Sequence, residues 1–319
     1  MVKKIGILTS GGDAPGMNDA LFGAIRTCFK LNKEIYAIYN GYKGLIEDKI
    51  VKLDKNFADT LLNRGGTAIK TARLPEFKED KVQYQAIETL KKHGIEALIV
   101  IGGDGSYMGA KKLTEKGINC IGLPGTIDND IASSEITIGF DTALNTVVEA
   151  VDKIVDTSSS HNRCAVVEIM GNKCPDLTLF AGIATGANYI LTCDSDVNID
   201  KMISELKELK KTNPDHVLIL VAEKLLDTKA LADRIMNEVG FDTRETVLGH
   251  IQRGGTPTAM ERVNSIRMGS YAVELLDEGI GGVCIGTDGT KLVYTDIYDA
   301  LKLPRNKHED FYHVHDLIK

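Results

Sequence analysis

Short apolar runs alternate along the chain with longer segments of helical periodicity. Glycine or polar turns bound the apolar runs, a pattern that is typical of buried strands. Strands are therefore predicted at "KIGILTS", "EIYAIYN", "EALIVIG", "NCIGLPG", "CAVVEIMG", "HVLILVAE" and "VCIGT".

The segments between these runs predict amphipathic helices. They read "MNDALFGAIRTCFK", "KVQYQAIETLKKHG", "YMGAKKLTEKG", "DTALNTVVEAVDKIVDTSS", "DKMISELKELKK", "TKALADRIMNEVG" and "NSIRMGSYAVELLDEG". Alternation of strands and helices predicts an α/β fold with parallel sheets covered on both faces. Ligands bind such folds outside the carboxyl ends of the strands, so the loops after the strands are where functional residues are expected.

Length and composition narrow the class of protein. At 319 residues, of which 43% are hydrophobic and 26% charged, the chain suits a globular protein of one large or two medium domains. No run of about 18 apolar residues occurs, and the apolar part of "MVKKIGILTSGG" is too short for a secretory signal. We therefore expect a cytoplasmic protein with no membrane partner.

Charge and cysteine usage exclude further classes of function. The net charge of -7 argues against a nucleic-acid partner, although basic pockets for small anions remain possible. The six cysteines include no C-x-x-C pair, which favours buried free thiols over disulfides or a zinc site.

The loop "TSGGDAPGMN", residues 9–18, leads from the first strand into the first helix. Glycines at positions 11, 12 and 16 would let backbone N–H groups approach an anion closely. The dipole at the N-terminus of the following helix favours negative charge as well. This loop is interpreted as a phosphate cradle.

A second glycine loop, "IGGDGSYMG", joins another strand to a helix. Gly103, Gly105 and Gly109 are spaced one residue wider than the dinucleotide fingerprint, and the Walker pattern is absent from the sequence. The loop carries one carboxylate, Asp104, which would suit a magnesium ion that bridges nucleotide phosphates. Diacylglycerol kinases and NAD kinases carry a similar "GGDG" run.

A third loop, "PGTIDND", delivers two carboxylates after a buried strand. Together with "TSGGDAPGMN", "GGDGSYMGA", "IGFDTALNT", "SSSHNR", "VLGHIQRGG" and "ERVNSIRMG", it resembles the bacterial ATP-dependent 6-phosphofructokinases in order and spacing over nearly the whole chain. This resemblance implies two Rossmann-like parallel-sheet α/β/α domains. It also implies transfer of the γ-phosphate of ATP to the 1-hydroxyl of fructose 6-phosphate, in a homotetramer.

No obvious linker marks a domain boundary, and the first sheet is expected to end near residue 138. We predict a larger ATP-binding domain of residues 1–138 and 251–301, and a smaller domain of residues 139–250 and 302–319 that binds fructose 6-phosphate. In the "PGTIDND" loop, Asp128 would be the general base, Asp130 would orient it and the sugar, and Thr126 would bind the transferring phosphate. Arg73 and Gly12 complete the implied catalytic set.

On the nucleotide side, the resemblance implies a magnesium ion at Asp104 and an adenine flanked by Tyr42 and Leu74. The full implied ATP-binding set is Gly12, Tyr42, Arg73, Leu74, Gly103, Asp104, Gly105, Ser106 and Gly109. Pyrophosphate-dependent relatives carry an aspartate at the position of Gly105 and a lysine at that of Gly125. Glycine at both positions favours ATP as the donor.

On the sugar side, the implied residues come mainly from the second half of the chain. They are Thr126, Asp128, Asp130, Arg163, Met170, Gly171, Glu223, Arg244, His250 and Arg253. Arg163, Arg244, His250 and Arg253 would cradle the 6-phosphate, with Arg163 and Arg244 contributed by the adjacent subunit. Met170, Gly171 and Glu223 would hold the sugar hydroxyls.

Two regions depart from the family pattern. In "MGNKCPD", Asn172 replaces an arginine that reaches the transferring phosphate, so we expect reduced turnover that Asn172→Arg raises, unless Lys173 has taken over the role. In the pocket where relatives bind an effector, Phe22 and Val155 replace arginines, Asn188 replaces an acidic residue, and Thr212 and Pro214 interrupt a basic run. Arg26, Lys210 and Lys211 remain there.

Two alternatives stay open on sequence alone. A lipid or NAD kinase would share only "GGDG" and would leave "PGTIDND" and "HIQRGG" without an explanation. A non-catalytic paralogue that binds sugar phosphate or nucleotide would fit the altered "MGNKCPD" loop.

Overall fold

All the predicted strands form, and they lie in two separate sheets. In the computed structural model, which describes residues 2–195, 197–305 and 307–319, the strands are Lys4–Thr9 (β1), Glu34–Ile38 (β2), Ile50–Lys52 (β3), Ala97–Gly102 (β4), Asn119–Pro124 (β5), Cys164–Ile169 (β6), Tyr189–Leu191 (β7), Val217–Ala222 (β8), Thr243–Val247 (β9), Val283–Asp288 (β10) and Lys291–Asp296 (β11).

All the predicted helices form too. The α-helices are Met17–Lys30 (α1), Gly41–Ile46 (α2), Lys55–Asp59 (α3), Asp80–His93 (α4), Asp104–Glu115 (α5), Phe140–Ser159 (α6), Asp176–Ala184 (α7), Ile199–Lys210 (α8), Thr228–Glu238 (α9), Ala259–Asp277 (α10), Ile297–Ala300 (α11) and Glu309–Ile318 (α12).

The chain divides into two units, each built from two stretches of sequence. The first unit comprises residues 1–142 and 253–305, and the second comprises residues 143–252 and 306–319. The first contains a seven-stranded sheet in the order β11-β10-β5-β4-β1-β2-β3, and the second a four-stranded sheet in the order β7-β8-β6-β9. Which ligand each unit binds stays a prediction.

Strand direction follows the expected pattern at the centre of each sheet. β4 and β8 are buried along their whole length, as strands covered by helices on both faces must be. The four-stranded sheet is parallel throughout, as predicted. In the seven-stranded sheet, β3 and β11, two edge strands that the sequence pattern did not predict, run antiparallel to β2 and β10.

Each unit has its own apolar core. In the first, Leu8, Leu98 and Val100 of the sheet pack with Tyr107 of α5 and Leu90 of α4. In the second, residues of β6 and β8 pack against α8 and α9, where Ile203, Leu206, Leu231 and Ile235 are buried. Burial of this apolar surface is the main force that holds each sheet to its helices.

Helices α1 and α10 of the first unit pack at unusually short range. A side chain on Gly23 would lie 2.2 Å from the carbonyl oxygen of Ile266, and one on Gly269 would lie 2.0 Å from that of Ala20. Only glycine permits such an approach of two backbones. The N-terminus of α1, and with it the first glycine loop, is therefore fixed by this contact.

Among the described residues, no helix is both long enough and apolar enough to cross a bilayer. The cysteines are free thiols, and five of the six are buried, as predicted. Cys193 is the exception because it lies exposed after β7.

Asp19 of α1 carries a buried carboxyl group. Its side chain is fully buried, and within the described chain neither carboxylate oxygen accepts a hydrogen bond from another side chain. Burial raises the pKa of Asp19 to about 6, although the positive charge of Arg262 acts in the opposite direction. Between about pH 4 and 6, the folded protein therefore keeps a proton on Asp19 that the unfolded chain has already released.

We expect Asp19→Asn to stabilise the protein more at pH 8 than at pH 5. The wild-type free energy of unfolding falls as pH rises towards the folded-state pKa, because ionising the buried carboxyl is costly. Asparagine does not ionise, so its advantage should be about 1 kcal/mol larger at pH 8, measured by urea denaturation at both pH values. Asp288→Asn, at an exposed position, serves as the control. Equal effects of Asp19→Asn at the two pH values would contradict this account.

Candidate active site

Three loops of the first unit meet at one edge of its sheet. They follow β1, β4 and β5, which are neighbours in the sheet and run parallel. The backbone N–H of Ser10 donates to the carbonyl of Ile101 at 2.9 Å, and that of Gly125 donates to the carbonyl of Gly102 at 3.1 Å. The sheet therefore brings the "TSGGDAPGMN", "IGGDGSYMG" and "PGTIDND" loops together.

The first glycine loop is fixed by contacts with its neighbours. Gly11 and Gly16 adopt φ values of +87° and +96°, which favour glycine. The Thr71 hydroxyl donates to the carbonyl of Gly11 at 2.9 Å. A side chain on Gly11 would lie 3.6 Å from the hydroxyl of Ser106, which is itself buried in the first turns of α5. The two glycine loops are therefore in direct contact.

Gly12 lies beside a cation. A side chain on Gly12 would lie 2.9 Å from a guanidinium nitrogen of Arg253. Any larger residue at this position would displace that guanidinium. Arg253, implied to bind the sugar phosphate, thus belongs to the first unit and contacts its glycine loop.

Asp104 lies in the first turn of α5, which begins three residues earlier than the sequence pattern predicts. Partial burial raises the pKa of Asp104, and the negative charge of Asp130 raises it further. Two carboxylates that repel each other at the mouth of a glycine loop would be relieved by a cation. The side-chain chemistry therefore fits a magnesium ion.

Magnesium also suits the number of ligands. Among the described residues, no group of three or more His, Cys, Asp or Glu side chains is arranged to hold a metal ion. Magnesium is usually bound through one or two carboxylates, and substrate phosphates and waters supply the other ligands. Asp104 and Asp130 match this pattern.

Local hydrogen bonds shape the "PGTIDND" loop. Asp128 is buried, and its backbone N–H donates to the hydroxyl of Thr126 at 3.1 Å. Asn129, between the two aspartates, has a left-handed φ of +55°, and its side-chain oxygen accepts from the N–H of Thr137 at 2.9 Å. The Thr137 hydroxyl in turn donates to the carbonyl of Thr126 at 2.7 Å. These hydrogen bonds fix the backbone of the loop around Asp128.

The residues expected around the adenine occupy different environments. Tyr42 is buried, stacks on Phe77 at a ring-centroid distance of 4.1 Å and donates to the carbonyl of Ser106 at 2.7 Å. Leu74 packs partly buried on the same cluster, and Arg73 beside it is exposed. Tyr42 therefore packs against the first turn of α5 and holds it by this hydrogen bond.

Gly105 and Gly125, the two glycines expected to select the phosphoryl donor, have different surroundings. No atom lies within 4 Å of the side-chain position at Gly103 or Gly105, so α5 begins with open space before it. A side chain at Gly125 would lie 2.8 Å from the methyl group of Met17, and one at Gly109 would lie 2.6 Å from the ring of Tyr42. Space for a ligand is thus present at Gly105, and packing requires glycine at Gly125.

In the second unit, the implied sugar-binding residues follow β6 and β8, which are parallel neighbours. Met170 follows β6, and its N–H donates to the side chain of Gln252 at 3.1 Å. The N–H of Asn172 donates to a carboxylate oxygen of Glu223 at 2.7 Å, and Glu223 follows β8. Gly171 between them has a φ of +149°, and a side chain there would lie 2.6 Å from the carbonyl oxygen of Cys174.

Arg163 directly precedes β6, and Arg244 lies in the neighbouring strand β9. The two arginines share one carboxylate. The Nε of Arg163 contacts Asp242 at 2.6 Å, and an Nη of Arg244 contacts the other oxygen at 3.1 Å. Arg163 holds the pKa of Asp242 below its ordinary value. Two guanidinium groups with one carboxylate leave a net positive charge, which suits a phosphate.

His250 is exposed on a short 3-10 helix, Gly249–Arg253. Gln252, two residues after His250, is fully buried and anchors this segment. Its side chain accepts from the N–H of Met170 and donates to the carbonyl of Gly249 at 3.0 Å. This anchor keeps His250 near the residues that follow β6.

Several residues that support the site were not predicted from the sequence. Thr71, Asp242 and Gln252 hold the predicted residues in place, and Lys224 lies beside Glu223 with its Nζ donating to the side chain of Asn172 at 3.0 Å. The position of Asp242, two residues before Arg244, is the one sequence signal that could have indicated its role. The others depend on contacts between distant segments.

Comparisons with known proteins identify the family of the chain. The sequence model of the phosphofructokinase family matches residues 4–276. The chain is 55% identical over 315 residues to an ATP-dependent 6-phosphofructokinase of Vibrio cholerae, with 98% of each chain covered. It is 52% identical to a protein of the same name from Photobacterium profundum, with 100% of each covered.

A solved structure with lower sequence identity to this chain gives the same result. Phosphofructokinase from Saccharomyces cerevisiae superposes with a TM-score of 0.90 at 33% identity, covering 98% of this chain and 49% of the longer yeast chain. Agreement in sequence and in fold over essentially the full length leads to one conclusion. The chain belongs to the phosphofructokinase family.

Proposed function

We infer that this protein is an ATP-dependent 6-phosphofructokinase, which transfers the γ-phosphate of ATP to the 1-hydroxyl of fructose 6-phosphate in glycolysis. The observation that carries this inference is the meeting of three loops at the ends of β1, β4 and β5. One loop offers a phosphate cradle, one a carboxylate for magnesium and one a base. The full-length relatives named ATP-dependent 6-phosphofructokinase support the choice of donor and acceptor.

In the proposed reaction, Asp128 accepts the proton of the 1-hydroxyl while that oxygen attacks the γ-phosphorus. The bond from the γ-phosphorus to the bridging oxygen breaks, and ADP leaves. Thr126 and Arg73 bind the transferring group, and the absence of a side chain at Gly12 lets that group approach the backbone closely. Asp130 orients Asp128 and the sugar. Together these groups position the reactants and neutralise charge, which is the main task in phosphoryl transfer.

Asp104, with help from Asp130, would hold the magnesium ion that accompanies ATP. That ion supplies charge neutralisation on the phosphates. Gly103, Gly105, Ser106 and Gly109 line the nucleotide beside it, and the open space at Gly105 would admit the α-phosphate of ATP. The adenine lies towards Leu74, with Tyr42 supporting the wall of its site.

The sugar lies against the second unit. Met170, Gly171 and Glu223 bind its hydroxyls, and Arg163, Arg244, His250 and Arg253 bind the 6-phosphate. Arg163 and Arg244 act on the adjacent subunit of a cytoplasmic homotetramer. The net positive charge of the pair formed by these two arginines with Asp242 supports this assignment.

A coupled assay tests the function. Purified protein with ATP, magnesium and fructose 6-phosphate should form ADP and fructose 1,6-bisphosphate at about 1 turnover per second or faster. Pyrophosphate in place of ATP should give no comparable rate. A chain that binds both substrates without turnover would instead be a non-catalytic paralogue, and phosphorylation of NAD or a lipid would identify the other class of kinase.

The cations that remain at the position of the effector pocket already have partners in the same chain. Arg26 pairs with Asp59 and lies over the ring of Phe22 at 5.4 Å. Lys211 pairs with Glu208 at 2.6 Å, and Lys210 donates to the carbonyl of Gly240. An anion would have to displace these partners, although exposed ion pairs are worth only about 1 kcal/mol or less.

Asn188 has a structural role there as well, since its side-chain oxygen accepts from the N–H of Leu218 at 2.8 Å. Because few cations are left to bind an anion, we expect neither ADP nor phosphoenolpyruvate to shift the half-saturating concentration of fructose 6-phosphate by more than about twofold. A ligand shifts a conformational equilibrium only by as much as it prefers one state. Initial-rate curves at millimolar effector would measure this, and a several-fold shift that ATP does not compete away would contradict it.

A further inference from the structure

The three loops that meet at the edge of the first sheet carry negative charge only. The sequences "TSGGDAPGMN", "IGGDGSYMG" and "PGTIDND" contain no lysine or arginine, and their four carboxylates are those of Asp13, Asp104, Asp128 and Asp130. A nucleotide adds the charge of its phosphates, of which one magnesium ion offsets a part. Residues outside these loops must therefore supply cations, and Arg253 beside Gly12 is one of them.

A basic segment of the same unit, residues 64–73, supplies three more. It lies between α3 and the 3-10 helix that begins at Pro75, and it has no regular secondary structure. Its cations are Arg64, Lys70 and Arg73. All three are exposed, and among the described residues none of them pairs with a carboxylate. Their positive charge is therefore available to an anion.

Hydrogen bonds tie the second half of the basic segment to the first glycine loop. The Thr71 hydroxyl donates to the carbonyl of Gly11 at 2.9 Å. The Thr9 hydroxyl donates to the carbonyl of Lys70 at 3.0 Å and lies 2.9 Å from the hydroxyl of Thr67. A segment without a strand or helix of its own is thus held by side chains at the start of the loop interpreted as a phosphate cradle.

Asn18 holds the first half of the basic segment. It lies in the first turn of α1, and its side chain is 1% exposed. The Nδ2 of Asn18 donates to the carbonyls of Arg64 at 2.9 Å and Gly65 at 3.3 Å, and its Oδ1 accepts from the N–H of Ala68 at 2.7 Å. One buried amide thus satisfies three backbone groups that have no ladder to join.

We propose that Asn18 is the positioning residue for Arg73: by fixing residues 64–68 to α1, it sets where the Arg73 guanidinium meets the phosphates of ATP. This inference rests on the proposed function. Thr71, bound to Gly11, precedes Arg73 by two residues, so any shift of the segment moves this arginine relative to the cradle. A displacement of about 1 Å at a group that binds the reacting phosphate can lower the rate strongly.

Steady-state kinetics of Asn18→Ala test the proposal. The variant should lower kcat/KM for ATP by about tenfold, because Arg73 loses its fixed position, and should keep the KM for fructose 6-phosphate within about twofold. Asn264→Ala is the matched control. Asn264 is an asparagine of α10 in the same unit, and its side chain accepts from Arg267 at 3.3 Å. It should stay within twofold of wild type in both constants.

Two further variants separate positioning from a general loss of structure. Thr9→Val keeps the shape of the side chain and removes the hydroxyl that holds Thr67 and Lys70, so it should act in the same direction as Asn18→Ala but more weakly. It keeps the test decisive if Asn18→Ala fails to fold. The double variant Asn18→Ala with Arg73→Ala should be within about threefold of Arg73→Ala alone, because both act through one guanidinium.

Limited proteolysis reads the position of the basic segment without any turnover. Trypsin should cleave after Arg64, Lys70 or Arg73 at least fivefold faster in Asn18→Ala than in wild type or Asn264→Ala, because a segment that has lost its anchor opens more often. ATP with magnesium should slow these cuts in wild type. Mass spectrometry of the fragments identifies the cleaved bonds.

The outcomes separate this inference from the proposed function. If wild type turns over and Asn18→Ala keeps kcat/KM for ATP within twofold, or loses as much affinity for fructose 6-phosphate as for ATP, the positioning role is rejected and the function stands. Multiplied losses in the double variant, or unchanged cleavage of the basic segment, reject it as well. A wild-type chain that fails to phosphorylate fructose 6-phosphate would overturn both.

Discussion

Replacement of Asp128 by serine is expected to lower kcat by about 10² to 10⁴ and to leave both KM values within a few-fold of wild type. The proton of the 1-hydroxyl would then have no positioned acceptor as the oxygen attacks phosphorus. Serine is smaller, and the surrounding bonds from Asn129 to Thr137 hold the loop independently of the Asp128 side chain. The loss should therefore appear in the chemical step and not in folding.

The coupled assay at saturating ATP and fructose 6-phosphate measures this change, with Asp288→Ser as a control carboxylate exposed elsewhere in the same unit. Thermal unfolding would confirm that both variants are folded. A variant at Asp128 that kept more than about a third of the wild-type kcat would require another residue to be the base.

Arg244→Ala is expected to raise the KM for fructose 6-phosphate by about 10- to 100-fold with kcat within about threefold. A charge-assisted hydrogen bond to a phosphate is worth about 1.5 to 3 kcal/mol, and the 6-phosphate is bound equally in the ground and transition states. Removing Arg244 would also leave Asp242 with Arg163 alone, which cancels the net positive charge of the cluster.

Arg234→Ala is the matched control for Arg244→Ala, because Arg234 is an arginine of the same unit whose partners, Asp200 and Glu238, are both acidic. It should leave the KM for fructose 6-phosphate unchanged. A loss of affinity for ATP in Arg244→Ala, with none for the sugar phosphate, would remove this arginine from the 6-phosphate site.

Strong apolar patterns made most of the fold predictable. β4 and β8 are continuous apolar runs because they are buried on both faces, and all seven predicted strands formed. The missed strands lie at sheet edges, where the pattern is weak. β3 and β7 have three residues each, β9 is largely polar, and β11 is partly exposed along its length.

The functional loops were predictable because each is continuous in sequence and follows a strong strand. Contacts between loops were not. Nothing near "TSGGDAPGMN" indicates that Arg253 approaches Gly12, and nothing in "MGNKCPD" indicates that Asn172 holds Lys224. The expectation that Asn172→Arg raises turnover, unless Lys173 has taken over the role, stays a prediction. The structure adds that this substitution would remove the hydrogen bond between Asn172 and Lys224.

The first unit is built from two separate stretches of the chain, and this sets the order in which it can fold during synthesis. β5 ends at Pro124, but its neighbour β10 begins at Val283, so roughly 160 residues are made between them. At about 5 to 20 residues per second, the outer edge of β5 stays unpaired for roughly 8 to 30 seconds on the ribosome. An unpaired apolar strand edge can pair with another chain. Nascent chains of this protein should therefore be most prone to aggregate, and to engage chaperones, while residues 125–282 are being translated.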